Sequence, residues 1–242
     1  MSRDFAAIGA DLMSTDVNVR VRGAIDFLRL EAGCDTFLVA YKMPDGFRLV
    51  HSVGYSEPVV DHLTSDIESM PEFRRQFSDY TRVWDWEDVP EFADSYSGAQ
   101  VLQPEGFTNG FLMVLYDDTG ALLGMCQGNM EHPEFSARSR GLVEKTRPLF
   151  TKYVARLRAR ARARLTPREE EILALLRIGL SNAEISERLY LSPRTVSTHV
   201  ERVLRKLEVT NRVAAAVRAT ELELVDETAI GAPVPLTGAA GF

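Results

Sequence analysis

Residues 165–212 read LTPREEEILALLRIGLSNAEISERLYLSPRTVSTHVERVLRKLEVTNR. Thr166-Pro167-Arg168-Glu169 supplies a hydroxyl that can cap a helix, a proline at the first helical position, and a glutamate that can reach back to the cap. A helix starts there, with Ile172, Leu173, Leu176 and Leu180 as its buried stripe and Gly179 where a left-handed stop is needed. Ser181-Asn182-Ala183-Glu184 repeats the box at once, so a second helix follows a short turn, its Ile185 and Leu189 facing the first. This is helix-turn-helix spacing. Ser192-Pro193 opens a third helix whose apolar positions Val196, Val200, Val203 and Leu207 keep helical period. Its opposite face carries Arg194, Ser197, Thr198, Glu201, Arg202 and Arg205. Thr210 can cap a fourth helix, with Val213, Ala216 and Val217 along one side.

The third helix suits the major groove of DNA, which admits one helix: short hydroxyls approach base edges and arginines grip guanine or phosphate. The helix N-termini at Ser181 and Ser192 present free backbone donors that suit phosphate oxygens. Charge agrees once it is divided along the chain. The whole sequence of 242 residues carries −7, yet residues 1–155 hold 14 Lys and Arg against 24 Asp and Glu, and residues 156–220 hold 14 against 7. The last 22 residues add four acids and no base. A basic block between an acidic body and an acidic tail reads as a nucleic-acid module attached to something else. The alternative is a plain four-helix bundle with solvated arginines. It leaves the two capping boxes and the turn spacing unexplained.

The motifs LTPRE (165–169), GLSNAEIS (179–186), LSPRTVSTHV (191–200) and LRKLEVTNR (204–212) resemble the LuxR-type DNA-binding domain over nearly all of 165–219. The resemblance implies an all-α four-helix helix-turn-helix domain in which the helix from Pro193 to Leu207 reads double-stranded DNA. The helix from Asn211 then pairs two copies as a homodimer, which gives Val213, Ala216 and Val217 as its dimerisation residues. By position it implies groove contacts for Ser197, Thr198 and Glu201, and phosphate contacts around Ser181, Asn182, Arg194, Thr195, His199, Arg205 and Lys206. Arg202 and Arg212 join the expected DNA-binding set. His199 is read as a phosphate contact or a packing residue, because no Asp, Cys or second His lies at a spacing useful for a metal or a base. Ser197 replaces the Lys or Arg often found at its position, and Glu201 brings a negative charge near the groove, so sequence preference is not transferable. Glu208 stands where the family often has a helix-ending Gly.

Toward the N-terminus, the apolar residues Ile8, Leu12, Val17, Val21, Ile25 and Leu28 predict one or two helices. Residues 36–41 and 47–50 flank Pro44-Asp45-Gly46 as a hairpin, and residues 110–116 and 121–127 flank Asp117-Asp118-Thr119-Gly120 as another. Residues 56–109, with Tyr80, Trp84, Trp86, Phe92 and Tyr96, are read as helices and loops. From Phe135 a helix, with Pro148 a candidate kink, runs into the basic stretch 156–164. This order predicts an α+β sensor domain, an antiparallel sheet with flanking helices. The segment 107–128 and the helix after it resemble the closing part of GAF-type or autoinducer-type sensor domains. The expected organisation is a GAF-like sensory or regulatory domain over 1–155, a basic helical linker over 156–164, the helix-turn-helix domain over 165–221 and a flexible acidic tail over 222–242.

For the front domain a phosphorylation receiver is disfavoured, since no acidic pair or alternating parallel strands appear. An unknown small-molecule effector would meet a pocket of strand residues such as Tyr41, Met113 and Met125. An acyl-homoserine-lactone pocket would use Tyr80, Trp84 and Trp86 around Asp85 or Asp88. A redox-responsive regulator would pair Cys34 with Cys126. No G-x-S-x-G, phosphate loop or H-E-x-x-H occurs, and His51, His62 and His132 are dispersed. The expectation is therefore no enzyme, no cofactor and no metal. Mixed charge at the N-terminus and the lack of a long apolar run predict a cytoplasmic protein with no membrane partner.

Overall fold

The computed structural model describes residues 5–65, 67–79 and 81–221. The chain forms two compact units that divide between Arg158 and Ala159. The expected acidic tail 222–242 and Tyr80 lie outside the described residues.

The first unit is an α+β sandwich. Helices α1 (Phe5–Leu12) and α2 (Val17–Glu31) open it. Asp16 caps α2 by accepting from the Asn18 N–H at 2.7 Å, and Val17, Val21, Ala24, Ile25 and Leu28 form its buried stripe. Strands β1 (Phe37–Met43) and β2 (Gly46–Val53) form the first expected hairpin, turning on Pro44 and Asp45. Strands β4 (Asn109–Tyr116) and β5 (Leu122–Met130) form the second. Between the hairpins lie α3 (Glu57–Thr64), α4 (Arg74–Ser78), the two-residue β3 (Trp84–Asp85), a π-helical turn (Tyr96–Leu102) and several 3-10 turns. The middle segment, read from sequence as helices and loops, thus also contributes a strand. The sheet is antiparallel in the order β2-β1-β5-β4-β3, so the last strand sits at its centre. β4 and β5 are buried on both faces, which explains why their sequences show continuous apolar runs instead of alternation.

Each sheet face carries its own core. One packs Val39, Phe111, Met113, Leu115 and Cys126 against α2 and the first turns of α5 (Ala137–Ala163), around Leu28, Val143 and Phe150. The other packs Leu38, Ala40, Leu112, Val114 and Met125 against the middle segment through Leu63, Phe73, Trp84 and Phe92. Helix α5 continues through Pro148 as one element, and residues 156–163 are its last turns.

The second unit contains α6 (Pro167–Arg177), α7 (Asn182–Leu189), α8 (Pro193–Lys206) and α9 (Arg212–Glu221). Ile172, Leu176, Ile185 and Val196 hold α6, α7 and α8 together. Leu173, Val203, Leu207, Ala215 and Ala219 hold α6, α8 and α9. Among the described residues no helix is long and apolar enough to cross a membrane.

Candidate nucleic-acid interface

Both predicted capping boxes form. Thr166 Oγ1 accepts from the Glu169 N–H at 3.3 Å while Glu169 Oε2 accepts from the Thr166 N–H at 2.8 Å. Ser181 and Glu184 repeat the exchange at 3.4 and 2.6 Å. Ser192 caps α8 by accepting from the Thr195 N–H at 3.1 Å. The fourth cap is Asn211 instead of Thr210: its Oδ1 accepts from the Ala214 N–H at 2.9 Å, three residues on, the reach a cap needs.

The ends are as regular as the starts. Leu180 N–H donates to Leu175 O, Leu191 N–H to Ser186 O and Val209 N–H to Leu204 O, each closing a helix by the same six-to-one bond. The left-handed residue in these turns is Gly179 (φ 88°), then Tyr190 (φ 53°), then Glu208 (φ 55°). Only the first is glycine. Tyr190 is 95% exposed in the turn that leads into α8.

These caps hold α8 with Val196 and Val203 buried and Arg194, Thr198, Glu201, Arg202 and Arg205 exposed. Thr195, Ser197 and His199 are half-buried on its flank, Ser181 is exposed at the start of α7, and Asn182 is half-buried beside it. The hydroxyls in the expected groove set are engaged within the domain. Ser197 Oγ donates to Pro193 O at 3.0 Å and accepts from Asn182 Nδ2 at 3.1 Å, tying α7 to α8. Thr198 Oγ1 donates to Arg194 O at 3.1 Å. His199 Nδ1 is buried and finds no partner among the described residues.

Lys206, expected at phosphate, and Arg212, in the expected DNA-binding set, both make hydrogen bonds inside the domain. Lys206 Nζ donates to Glu169 Oε2 at 2.6 Å and to Arg164 O at 2.7 Å, and the Glu169 side chain is only 3% exposed. Burial pushes the Glu169 carboxyl up, but Lys206 and the Thr166 N–H outweigh it and hold the group below its usual range. Arg212 Nη2 donates to Leu180 O at the end of the α6–α7 turn. Both cations are therefore spent on carbonyls and a carboxylate inside the domain. On α9, Ala215 and Ala219 are buried, while Val213 and Val217 are 68% and 51% exposed and Ala216 lies half-buried between them.

In the first unit the five expected ligand residues do not share a cavity. Met113 and Tyr41 belong to the core on one sheet face, and Met125, Trp84 and Trp86 to the other. The carboxylates offered to a lactone are taken. Asp85 meets Arg140 at 2.5 Å, and Asp88 meets Arg140 at 2.9 Å and also Arg82. The two thiols are not bonded to each other: Cys126 lies on β5 opposite Val39, and Cys34 lies in the segment between α2 and β1, just ahead of the Asp35 and Thr36 N–H groups that donate to Asn129 O. Both cysteines are free and buried, and burial pushes the Cys34 thiol up to about 12. The histidines have separate partners: His51 meets Tyr153 at 3.2 Å, His62 meets Ser97 at 2.9 Å and His132 meets Gly33 O at 3.0 Å. Among the described residues no three His, Cys, Asp or Glu are grouped to hold a metal.

Residues 163–219 match the family of bacterial regulatory proteins described as the luxR family. The quorum sensing-dependent HTH-type transcriptional regulator RpaR of Rhodopseudomonas palustris is 34% identical over 152 residues, 58% of this chain and 60% of RpaR. The DNA-binding transcriptional activator DevR/DosR of Mycobacterium tuberculosis is 39% identical over 87 residues, 36% of this chain and 34% of that protein. Among solved structures, Escherichia coli SdiA aligns over 92% of this chain and 97% of its own at 16% identity, with a TM-score of 0.42. The chain thus spans 60% or less of the length of these curated relatives.

Proposed function

Taking residues 163–219 as a DNA-binding domain of the luxR family, we propose that the chain is a sequence-specific transcriptional regulator. In this reading α8 enters the major groove of double-stranded DNA and the front domain senses a small molecule or makes regulatory contacts. The observation that carries it is the exposed face of α8, where Arg194, Thr198, Arg202 and Arg205 stand clear of a helix whose other side is fixed by Val196 and Val203. Ser181 and Ser192, at the helix N-termini, supply phosphate donors. The apolar strip Val213, Ala216 and Val217 on α9 is the face by which two copies pair, which calls for two half-sites related by two-fold symmetry. Glu201 favours a cytosine amino group over a guanine carbonyl at its position. The chain acts where DNA is, in the cytoplasm, as a binder and not as an enzyme.

The test is selection of duplexes from a random pool by the full chain, followed by titration of the enriched site at several salt concentrations. The reading expects enrichment of a symmetric site and affinity that falls steeply with salt. If the chain binds no duplex better at low salt than a neutral control protein does, the reading is wrong.

A further inference from the structure

The arginines of the run Arg156-Leu157-Arg158-Ala159-Arg160-Ala161-Arg162-Ala163-Arg164 do not share one fate. Arg156 donates to Asn18 Oδ1 at 3.1 Å and Arg158 to Lys42 O at 2.9 Å, both within the first unit, and Arg160 pairs with Glu170 at 3.3 Å in the second. Arg162 and Arg164, also in the second unit, are exposed, and neither side chain has a partner among the described residues.

Their backbone is nonetheless fixed. Ala163, between them, is buried with Leu173, Val203 and Leu207, and Lys206 Nζ donates to Arg164 O at 2.7 Å. The end of α5 thus lies against the C-terminal turns of α8, where Arg202 and Arg205 are exposed and also lack partners among the described residues. Successive helical residues are about 100° apart, so Arg162 stands on the flank of the buried Ala163 contact and not across the helix from α8. Two acids in this part of the domain, Glu169 and Glu170, are already paired with Lys206 and Arg160, while Glu201 and Glu208 stay exposed beside the arginines.

Helix α8 has 14 residues, roughly 21 Å at about 1.5 Å per residue, whereas the major groove is about 12 Å wide. With its N-terminal half in the groove, its C-terminal turns overrun the groove and come to the sugar-phosphate backbone along the edge. We propose that Arg162 and Arg164 form a second, sequence-independent grip on that backbone, extending the line of Arg202 and Arg205 beyond α8. Each guanidinium presents a fork of N–H donors matched to phosphate oxygens. The alternative is a solvated helix end, in which arginines near the last turn of α5 only complement its dipole. That would leave DNA binding untouched. The inference rests on the reading of α8 as the helix that enters the groove.

The test uses the full chain and, as probe, the duplex that the wild-type chain enriches from a random pool, titrated by fluorescence anisotropy from about 50 to 200 mM salt. In the double variant Arg162→Gln, Arg164→Gln the salt slope should be shallower by about 1.8, about 0.9 for each lost phosphate contact. The affinity gap between the two proteins then narrows about tenfold across that range, and the sequences enriched from the pool stay the same. Arg156→Gln, which removes one such charge inside the first unit, should leave the slope as it is. An unchanged slope in the double variant, an equal flattening by Arg156→Gln and by Arg162→Gln, or a change in the enriched sequences overturns the proposal. Should the double variant lose its circular dichroism, Arg162→Gln alone decides, with an expected change of about 0.9. If the wild-type chain shows no salt-dependent duplex binding, the groove reading falls and the grip falls with it. Steep wild-type binding with an unchanged slope in the variant removes the grip alone.

Discussion

Replacing Lys206 by alanine separates a fold joint from a phosphate contact. In the native domain Glu169, whose side chain is 3% exposed, accepts from Lys206 at 2.6 Å and from the Thr166 N–H at 2.8 Å. The variant leaves that carboxylate buried with the backbone bond alone, and it frees the Arg164 carbonyl that Lys206 also meets. A hydrogen bond to a charged group contributes about 1.5–3 kcal/mol, and Lys206 keeps 28% side-chain exposure, so about 2 kcal/mol is expected. For a domain of this size that lowers the melting temperature by roughly 8–16 °C. The pH dependence gives a sharper signature. The carboxyl of Glu169 is held low in the parent, so its contribution is present above the ordinary glutamate range and is lost as pH falls through the lowered value. In Lys206→Ala, burial acts with less opposition, so the group is held less far below its usual range and its ionisation contributes less stability above it. The difference between the two proteins should be largest at neutral pH and shrink below about pH 4. Calorimetry of the full chain resolves the transition of the second unit. Below that transition the variant should keep the salt slope of DNA binding. A melting temperature within about 2 °C of the parent, with the slope reduced by about 0.9, would refute this assignment.

Other substitutions probe the exposed face and its supports. Arg194→Ala should weaken binding to all duplexes alike and flatten the salt slope by about 0.9, read by fluorescence anisotropy; an unchanged slope removes Arg194 from the phosphate contacts. Ser197→Ala or Thr198→Ala should instead change which sequences a random pool yields, and uniform loss across sites would reverse that assignment. Tyr190→Gly relieves a left-handed aromatic residue and should stabilise the second unit by about 1 kcal/mol in urea unfolding; destabilisation would mean that the exposed ring makes a contact of its own. The buried thiols, with Cys34 raised to about 12, should resist a disulfide reagent at pH 8 until the chain is denatured, and prompt reaction of the native chain would restore a redox role.

The second unit was legible because its signals are local. Caps, first-turn prolines and apolar stripes act within four residues, and each box at Thr166 and Ser181 formed as the spacing requires. The one shifted start, Asn211 for Thr210, lies between two adjacent residues that can both cap, and only the position of the Ala214 N–H decides. Lys206 and Arg212 have partners that no local signal announces. Sequence shows that they are cationic, but their partners Glu169 and Leu180 are 37 and 32 positions away. A cation already spent inside a fold looks, in one dimension, like one held out to a phosphate.

The front unit shows how strand parity governs which residues can meet. Met113 faces Cys126 and Val114 faces Met125, so the two methionines are one position out of step and point to opposite faces of the sheet. Parity was available in the sequence only once the hairpin register was known, and that register turns on the shift between Leu115 and Tyr116. With register in hand, the polar residues on β5 become informative. Gln127 and Asn129 share the face of Met125, where an apolar strand position would have packed against Phe73 and Phe92 at no polar cost. Asn129 is satisfied by Tyr55 and by the Asn109 carbonyl, so it serves the fold. Gln127 and Gln76 keep side-chain oxygens with no partner among the described residues, beside a space of about 10 Å3, so on this strand a polar side chain marks where the two layers do not close fully and not a break in the register.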